Sequence, residues 1–344
     1  MFNLKKRNIY FIADIASNHD GDLNKAKELI HMAAESGANA AKFQNFYAET
    51  LISELGFKKL KKIKSHQTNW NGSVYDIYKK NEISLEWTET LLVTCKKHNI
   101  DFFTTPYDKD IISYLNKFVS AWKIGSGDIT WHENIIKIAK TQKPIIIATG
   151  ASTIDEVKSI YEKVLKINKK ICIMQCNTNY TGRSDNFKFI NLNVLKSYKK
   201  LFPKAVLGLS DHTHGHETVL GAVALGAKII EKHFTDSNKN IGPDHLFSMN
   251  PKNWKKMVDA TKNLVMALGD EIKKIEKNEK VTSILQRRSI RLKRSIKKGE
   301  IIIKEDLEYL RPCPRDAMHP YQNIKIIGKK SKKNYKKSSY IKIF

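Results

Sequence analysis

Eight short runs rich in β-branched and aromatic residues recur along the first 267 residues, with amphipathic helical patterns between them, and few folds accommodate that alternation. The runs are residues 9–16, 40–45, 101–105, 121–124, 144–149, 171–176, 205–209 and 228–234. Helical spacing of apolar residues appears at 23–35, 85–97, 154–165, 192–200 and 217–225, and after the last run at 254–266. Strands joined through helices run parallel, because a parallel crossover needs about a dozen residues or more. The count of eight predicts an α/β chain closed as a (β/α)8 TIM barrel over residues 1–267, with an open doubly wound sheet as the alternative. The first two units are separated by a Lys-rich polar insertion at 50–83.

From 268 the barrel pattern stops. A charged linker at 268–285 leads into residues 286–344, where short β-like runs and Lys-Gly turns predict a small β-rich domain. Hydrophobic residues make up 41% of the 344, enough to bury a core, which excludes a disordered chain. No apolar run approaches the roughly 20 residues that span a bilayer, so no membrane partner is expected. The start, MFNLKKRNIYFIADIASNH, opens like a signal peptide, but Asp14 breaks its apolar run and no small-residue cleavage site precedes it. It reads as a first buried strand, and a cytoplasmic protein is expected.

The net charge of +26 invites a nucleic-acid reading. Only eight of the basic residues are Arg, the charge is spread from end to end, and no basic stripe is interleaved with aromatics. The dense runs at 58–64 and 329–337 read as solvated faces, and no nucleic acid is expected. Cys95, Cys172, Cys176 and Cys313 are too few and scattered for a disulfide framework, and the CxxxC of Cys172 and Cys176 lacks the second pair of a zinc site.

Catalysis in such a barrel sits where strands end and βα loops begin. Polar residues crowd those positions: Asp14 with Asn18 and His19, Lys42 with Gln44, Thr104 with Thr105, Lys123 before Gly125-Ser126-Gly127-Asp128, Thr149, Asn177 to Tyr180, Ser210-Asp211-His212, and Glu231-Lys232-His233. Lys42 and Lys123 interrupt apolar strands. A buried lysine needs an anionic partner or a lowered pKa, so each is an internal ion pair, a Schiff-base amine, or one of two cations aimed at a bound anion. In the last case hydroxyls of Thr105, Ser126 and Ser210 would assist, with backbone N–H groups at the Gly-Ser-Gly turn. His212 and His233 end adjacent strands. They are either hydrogen-bonded barrel residues or two imidazoles converging on a divalent cation acting as a Lewis acid.

These strings together resemble the bacterial sialic acid synthase family, which includes N-acetylneuraminate, legionaminate and pseudaminate synthases: FIADIASNHDGD, AKFQNF, FFTTPYD, WKIGSGD, KPIIIATGAS, GLSDHT, ALGAKIIEKHFT and GPDHLFSMN. The C-terminal RRSI, KKGEII, RP and IIGKK resemble that family's antifreeze-like (SAF, β-clip) domain. The resemblance implies an enzyme that condenses phosphoenolpyruvate with an amino-sugar aldehyde and releases phosphate by C–O cleavage. It implies phosphoenolpyruvate held by Lys42, Thr105, Lys123, Ser126 and Ser210, and a metal on His212 and His233, Mn²⁺ foremost, with Mg²⁺ or Co²⁺ as alternatives. Asp244 would grip acceptor hydroxyls with Tyr180 alongside. Arg311 would reach the partner subunit's site in a domain-swapped homodimer. Asp14 and Asp128 stand where the family usually has Glu, and Ala148 where it often has Ser; both acids remain candidates for handling a catalytic proton. A Schiff-base aldolase on Lys42 or Lys123, and a non-catalytic carbohydrate- or polyanion-binding protein, are the competing readings.

Overall fold

The computed structural model describes residues 9–60, 63, 65, 67, 70 and 72–343. The basic patch before Asn8 and part of the Lys run at 58–64 lie outside these residues. The strands are β1 (Tyr10–Asp14), β2 (Ala40–Asn45), β3 (Asp101–Pro106), β4 (Trp122–Ile124), β5 (Ile145–Ala148), β6 (Ile171–Cys176), β7 (Val206–Asp211) and β8 (Ile229–His233). All neighbours pair in parallel, and β8 returns to β1, closing the barrel in sequence order. The open-sheet alternative is thereby removed.

Helices α1 (Leu23–Glu35), α2 (Ala48–Leu51), α3 (Glu54–Lys59), α4 (Val74–Lys80), α5 (Trp87–Lys97), α6 (Ile112–Leu115), α7 (His132–Lys140), α8 (Ile154–Leu165), α9 (Val194–Leu201), α10 (Glu217–Ala224) and α11 (Pro251–Leu268) accompany the strands. Local chemistry sets their starts. Asp22 accepts the Asn24 N–H at α1, Thr153 and Glu156 form a reciprocal capping box at α8, and Asn250 caps α11 just before Pro251. The insertion contributes α2, α3 and α4.

Strand alternation gives each strand two buried faces. One face, including Phe11, Phe43, Phe102, Trp122, Ile147, Ile173 and Ile230, packs in the large core with helix residues such as Leu29, Ile135 and Trp254. The other faces the barrel interior, where Tyr10, Ile12, Ala40, Phe103, Ala121, Ile146, Cys172, Met174 and Ile229 form a separate apolar cluster. The next inward positions toward the strand ends are Asp14, Lys42, Thr105, Lys123, Ala148, Cys176, Ser210 and Glu231, all of them buried. An apolar plug thus fills the lower barrel and a polar layer covers it.

Gly269, at φ +66, ends α11, and the chain divides there into compact units Met1–Gly269 and Asp270–Phe344. Residues 270–285, read from sequence as a linker, fall in the second unit and include α12 (Lys280–Leu285), tied in by the Cys313 N–H donating to the Ile284 carbonyl at 2.8 Å. That unit has an antiparallel pair, β9 (Ser289–Leu292) with β10 (Leu307–Leu310), and bridges from Arg291 to Tyr340 and Ile296 to Tyr335. Its own core comprises Ile290, Leu292, Ile296, Ile302, Leu307, Met318, Ile326, Tyr335 and Ile341. The lysines of the 329–337 run are exposed while Ser331 and Tyr335 point inward, the pattern of a solvated face.

Candidate active site

The polar layer is built around four charges. Asp14, Lys42, Lys123 and Glu231 are each only 2–3% exposed. Lys42 Nζ lies 2.6 Å from Asp14 Oδ2 and 3.7 Å from Glu231 Oε1, and Lys123 Nζ donates to that same Oε1. Pairing follows from register, since Asp14 sits opposite Lys42, and Ser210 opposite Glu231. Ser210 Oγ donates to Glu231 Oε1 at 3.1 Å. Burial alone would lower the Lys42 pKa, but the Asp14 and Glu231 carboxylates raise it. Burial likewise opposes ionisation of Glu231, yet Lys123 and Lys42 hold its pKa down to about 2. Burial pushes Asp14 upward, against the pull of Lys42.

Both lysines are therefore internal ion pairs, one of the alternatives open from sequence, and both also face the barrel mouth. Thr105 Oγ1 is buried without a hydrogen-bond partner, and Ser126 Oγ accepts the Gly150 N–H at 2.9 Å. Buried groups without partners are uncommon in folded proteins, and Glu231 Oε2 is a second one here.

Above this layer the His212 and His233 rings approach to 5.3 Å between centroids. Burial, reinforced by the neighbouring imidazole, lowers His212 to about 3, and burial lowers His233 to about 4, so both rings are neutral near pH 7. His212 Nδ1 lies 2.9 Å from the Asn177 carbonyl, which places its proton there and leaves Nε2 bare. His233 Nδ1 is buried with no hydrogen-bond partner, and its Nε2 is 3.4 Å from Asp14 Oδ2. Two adjacent neutral imidazoles, one with a buried nitrogen that has no hydrogen-bond partner, fit a divalent cation. Among the described residues no group of three or more His, Cys, Asp or Glu side chains is arranged to hold a metal, so further ligands would be water and substrate.

Beside His233 opens a cavity of about 150 Å³ lined by Gln44, Tyr78, Tyr107, Tyr180 and Asp244 among others. The Tyr180 ring packs tilted against His212, 4.4 Å between centroids, and Asp244 Oδ2 accepts the Ser17 N–H at 3.1 Å and lies 3.9 Å from His233 Nδ1. Burial pushes the Tyr78 phenol up to about 12 and raises Asp244 as well. Asp128 follows β4 in a short 3₁₀ turn, and burial raises it to about 6.

Not every polar strand end belongs to the site. Thr104 donates to Asn45 Oδ1, Thr149 bonds Tyr198 and the Met174 carbonyl, and Lys232 pairs with Asp211 beside Thr213 and Thr218. These residues are one step out of phase with the inward positions and face the helices, so they stand outside the polar layer although their strands still contribute Thr105, Ser210 and Glu231 to it. Strand β5 offers Ala148 and the Gly150 backbone. Arg311 is an exposed residue of the second unit. Sequence reasoning assigns no role to Glu231, Tyr78 or Tyr107. Alternation with His233 is a usable signal for Glu231; Tyr78 lies in the insertion, where no periodic pattern marks it.

Residues 29–273 match the NeuB family. The chain belongs to that family. It is 37% identical over 335 residues to the N,N'-diacetyllegionaminic acid synthase of Campylobacter jejuni, covering 96% of this chain and 98% of that protein. It is 31% identical to the human N-acetylneuraminate-9-phosphate synthase, covering 93% and 88%. Among solved structures, the N-acetylneuraminic acid synthetase of Leptospira borgpetersenii superposes with a TM-score of 0.69 at 28% identity, over 80% of this chain and 90% of that one.

Proposed function

We propose that this NeuB-family chain is a nonulosonic acid synthase, condensing phosphoenolpyruvate with an N-acetylmannosamine-like amino-sugar aldehyde and releasing phosphate. The observation that carries the reading is the meeting of two buried lysines and two neutral imidazoles in one barrel mouth. Family membership and the names of the relatives support it.

Lys42 and Lys123, with Thr105, Ser126 and Ser210, bind the carboxylate and phosphate and offset charge on the departing group. Asp244 holds acceptor hydroxyls, with Tyr180 packed beside the aldehyde. His212 and His233 would hold a divalent metal, Mn²⁺ foremost and Mg²⁺ or Co²⁺ as alternatives, which would supply Lewis-acid polarisation of the aldehyde oxygen. C3 of phosphoenolpyruvate attacks the aldehyde carbon and positive charge develops at C2. The former aldehyde oxygen takes up a proton to become a hydroxyl, and water adds at C2 with one proton passing to Asp14 or Asp128. The tetrahedral carbon then loses phosphate by C–O cleavage and its remaining hydroxyl proton to the departing phosphate, leaving a 2-keto acid. Arg311 completes the partner subunit's site in a domain-swapped homodimer, as the family resemblance implies, and the reaction runs in the cytoplasm.

A Schiff-base aldolase needs a neutral lysine amine. Lys42 is held charged by two carboxylates and Lys123 donates to Glu231, which favours the synthase. Among the described residues no helix is long and apolar enough to cross a membrane. The test is phosphate release from phosphoenolpyruvate against N-acetylmannosamine, a 2,4-diacetamido-trideoxy hexose and a 6-phosphorylated hexosamine, with and without Mn²⁺. Acceptor-dependent release that chelation abolishes is expected; a borohydride-trapped pyruvate adduct would replace this reading with the aldolase.

A further inference from the structure

Glu231 is a buried carboxylate to which the proposed condensation gives no task as acid, base or substrate contact. Lys123 Nζ and Ser210 Oγ both donate to its Oε1, and Lys42 Nζ lies 3.7 Å from the same atom. Three of the groups that would hold the substrate's anionic ends therefore converge on one oxygen of one side chain. The other oxygen, Oε2, is buried with no hydrogen-bond partner. Asp14, Glu231, Lys42 and Lys123 sum to zero charge, so the cluster is balanced before any substrate arrives. Two buried ammonium groups sharing a low-dielectric pocket repel strongly unless an anion sits between them.

We infer that Glu231 is a positioning residue, an internal counter-anion that fixes Lys42, Lys123 and Ser210 in place and against which an incoming phosphate or carboxylate must compete. The inference rests on the synthase reading of the site. Its consequence is a trade. The fixed negative charge weakens the ground-state hold on phosphoenolpyruvate and on product phosphate. The same charge keeps the donors aimed where charge develops as phosphate departs, so it serves turnover rather than affinity. A glutamate that only filled space in the core would show no such opposition between binding and rate.

The experiment uses the full-length enzyme and its Glu231→Gln and Glu231→Asp variants. Binding of inorganic phosphate and of phosphoenolpyruvate is measured by calorimetry, and kcat and KM by phosphate release with a working acceptor. Glu231→Gln keeps the shape and removes the charge. It is expected to bind phosphate roughly fivefold tighter and lower KM for phosphoenolpyruvate, while kcat falls about tenfold or more. Unchanged or weaker phosphate binding in that variant overturns the inference. Glu231→Asp keeps the charge but is one methylene short; phosphate affinity within about twofold of wild type with a kcat between the other two is expected. A wild-type kcat in Glu231→Asp also overturns it, and this arm decides the matter if the glutamine variant does not fold. Wild-type protein that binds neither phosphoenolpyruvate nor phosphate removes the synthase reading and this inference together, whereas normal wild-type turnover with an indifferent Glu231→Gln removes the inference alone.

Discussion

Removing Lys123 leaves Glu231 with a buried negative charge that Lys42, already paired with Asp14, only partly offsets. Lys123→Met is therefore expected to destabilise the barrel by about 3–5 kcal/mol and to abolish phosphoenolpyruvate binding. Adding Glu231→Gln should recover much of the stability without the binding; thermal unfolding and calorimetry read the two effects separately. Asp128 gives a pH signature. Its pKa is raised by burial from 3.8 to about 6, so between those values the folded chain holds a proton that the unfolded chain has lost. That contribution to stability is full below pH 3.8 and fades as pH rises to about 6. If the ionised form takes the proton from water, kcat should climb through pH 6, and Asp128→Asn should flatten that limb with a loss of about 10²-fold or more. A limb that survives the substitution would mean that Asp128 does not take that proton. The two lysines were legible because an ammonium group inside an apolar strand demands an explanation. Glu231 was not, because Glu-Lys-His reads as one polar cluster although its middle residue faces the opposite side of the sheet.

The same alternation explains, one level up, which parts of the elements could be read in advance. Strands β2 and β6 and helices α1 and α8 have the bounds their patterns predict, since period and caps coincide there. Strand β7 runs two residues further, to Asp211, because polar Ser210 and Asp211 still pair with Glu231 and Lys232. Helices α6 and α7 escaped notice. The first has four residues and neither begins with a side-chain cap, so packing rather than local signals makes them. The turn after β5 carries a constraint invisible in composition. A Cβ on Gly150 would collide with Thr178 Oγ1 and would lie 2.9 Å from Ser126 Oγ and 3.2 Å from Cys176 Sγ. Gly150→Ala must push these groups apart and weaken the Ser126 contact. Phosphoenolpyruvate affinity is expected to fall about tenfold or more with little change in far-UV circular dichroism; undiminished binding would mean that Ser126 takes no part in holding the anion.

At the scale of the whole molecule, the barrel was predictable from a count of eight and the second unit from a change of pattern, but whether two copies of the chain share a site is written in neither. Arg311 is exposed on the second unit, with its proposed task in a partner's barrel. That proposal makes a sharp claim about mixtures. Take one variant lacking the guanidinium (Arg311→Ala) and another lacking the anion site (Lys123→Met, with Glu231→Gln to preserve the fold). Each homodimer has two damaged sites and should be inactive. If Arg311 acts across the interface, a mixed dimer concentrates both lesions in one site, where the Lys123→Met barrel meets the second unit carrying Arg311→Ala, and leaves the other site intact. Random exchange of equal amounts makes half the dimers mixed, so about a quarter of wild-type activity should return. If Arg311 instead serves its own barrel, every site in every mixture carries one lesion and no activity returns. Phosphate release after subunit exchange, with the mixed species verified by mass, distinguishes the two arrangements.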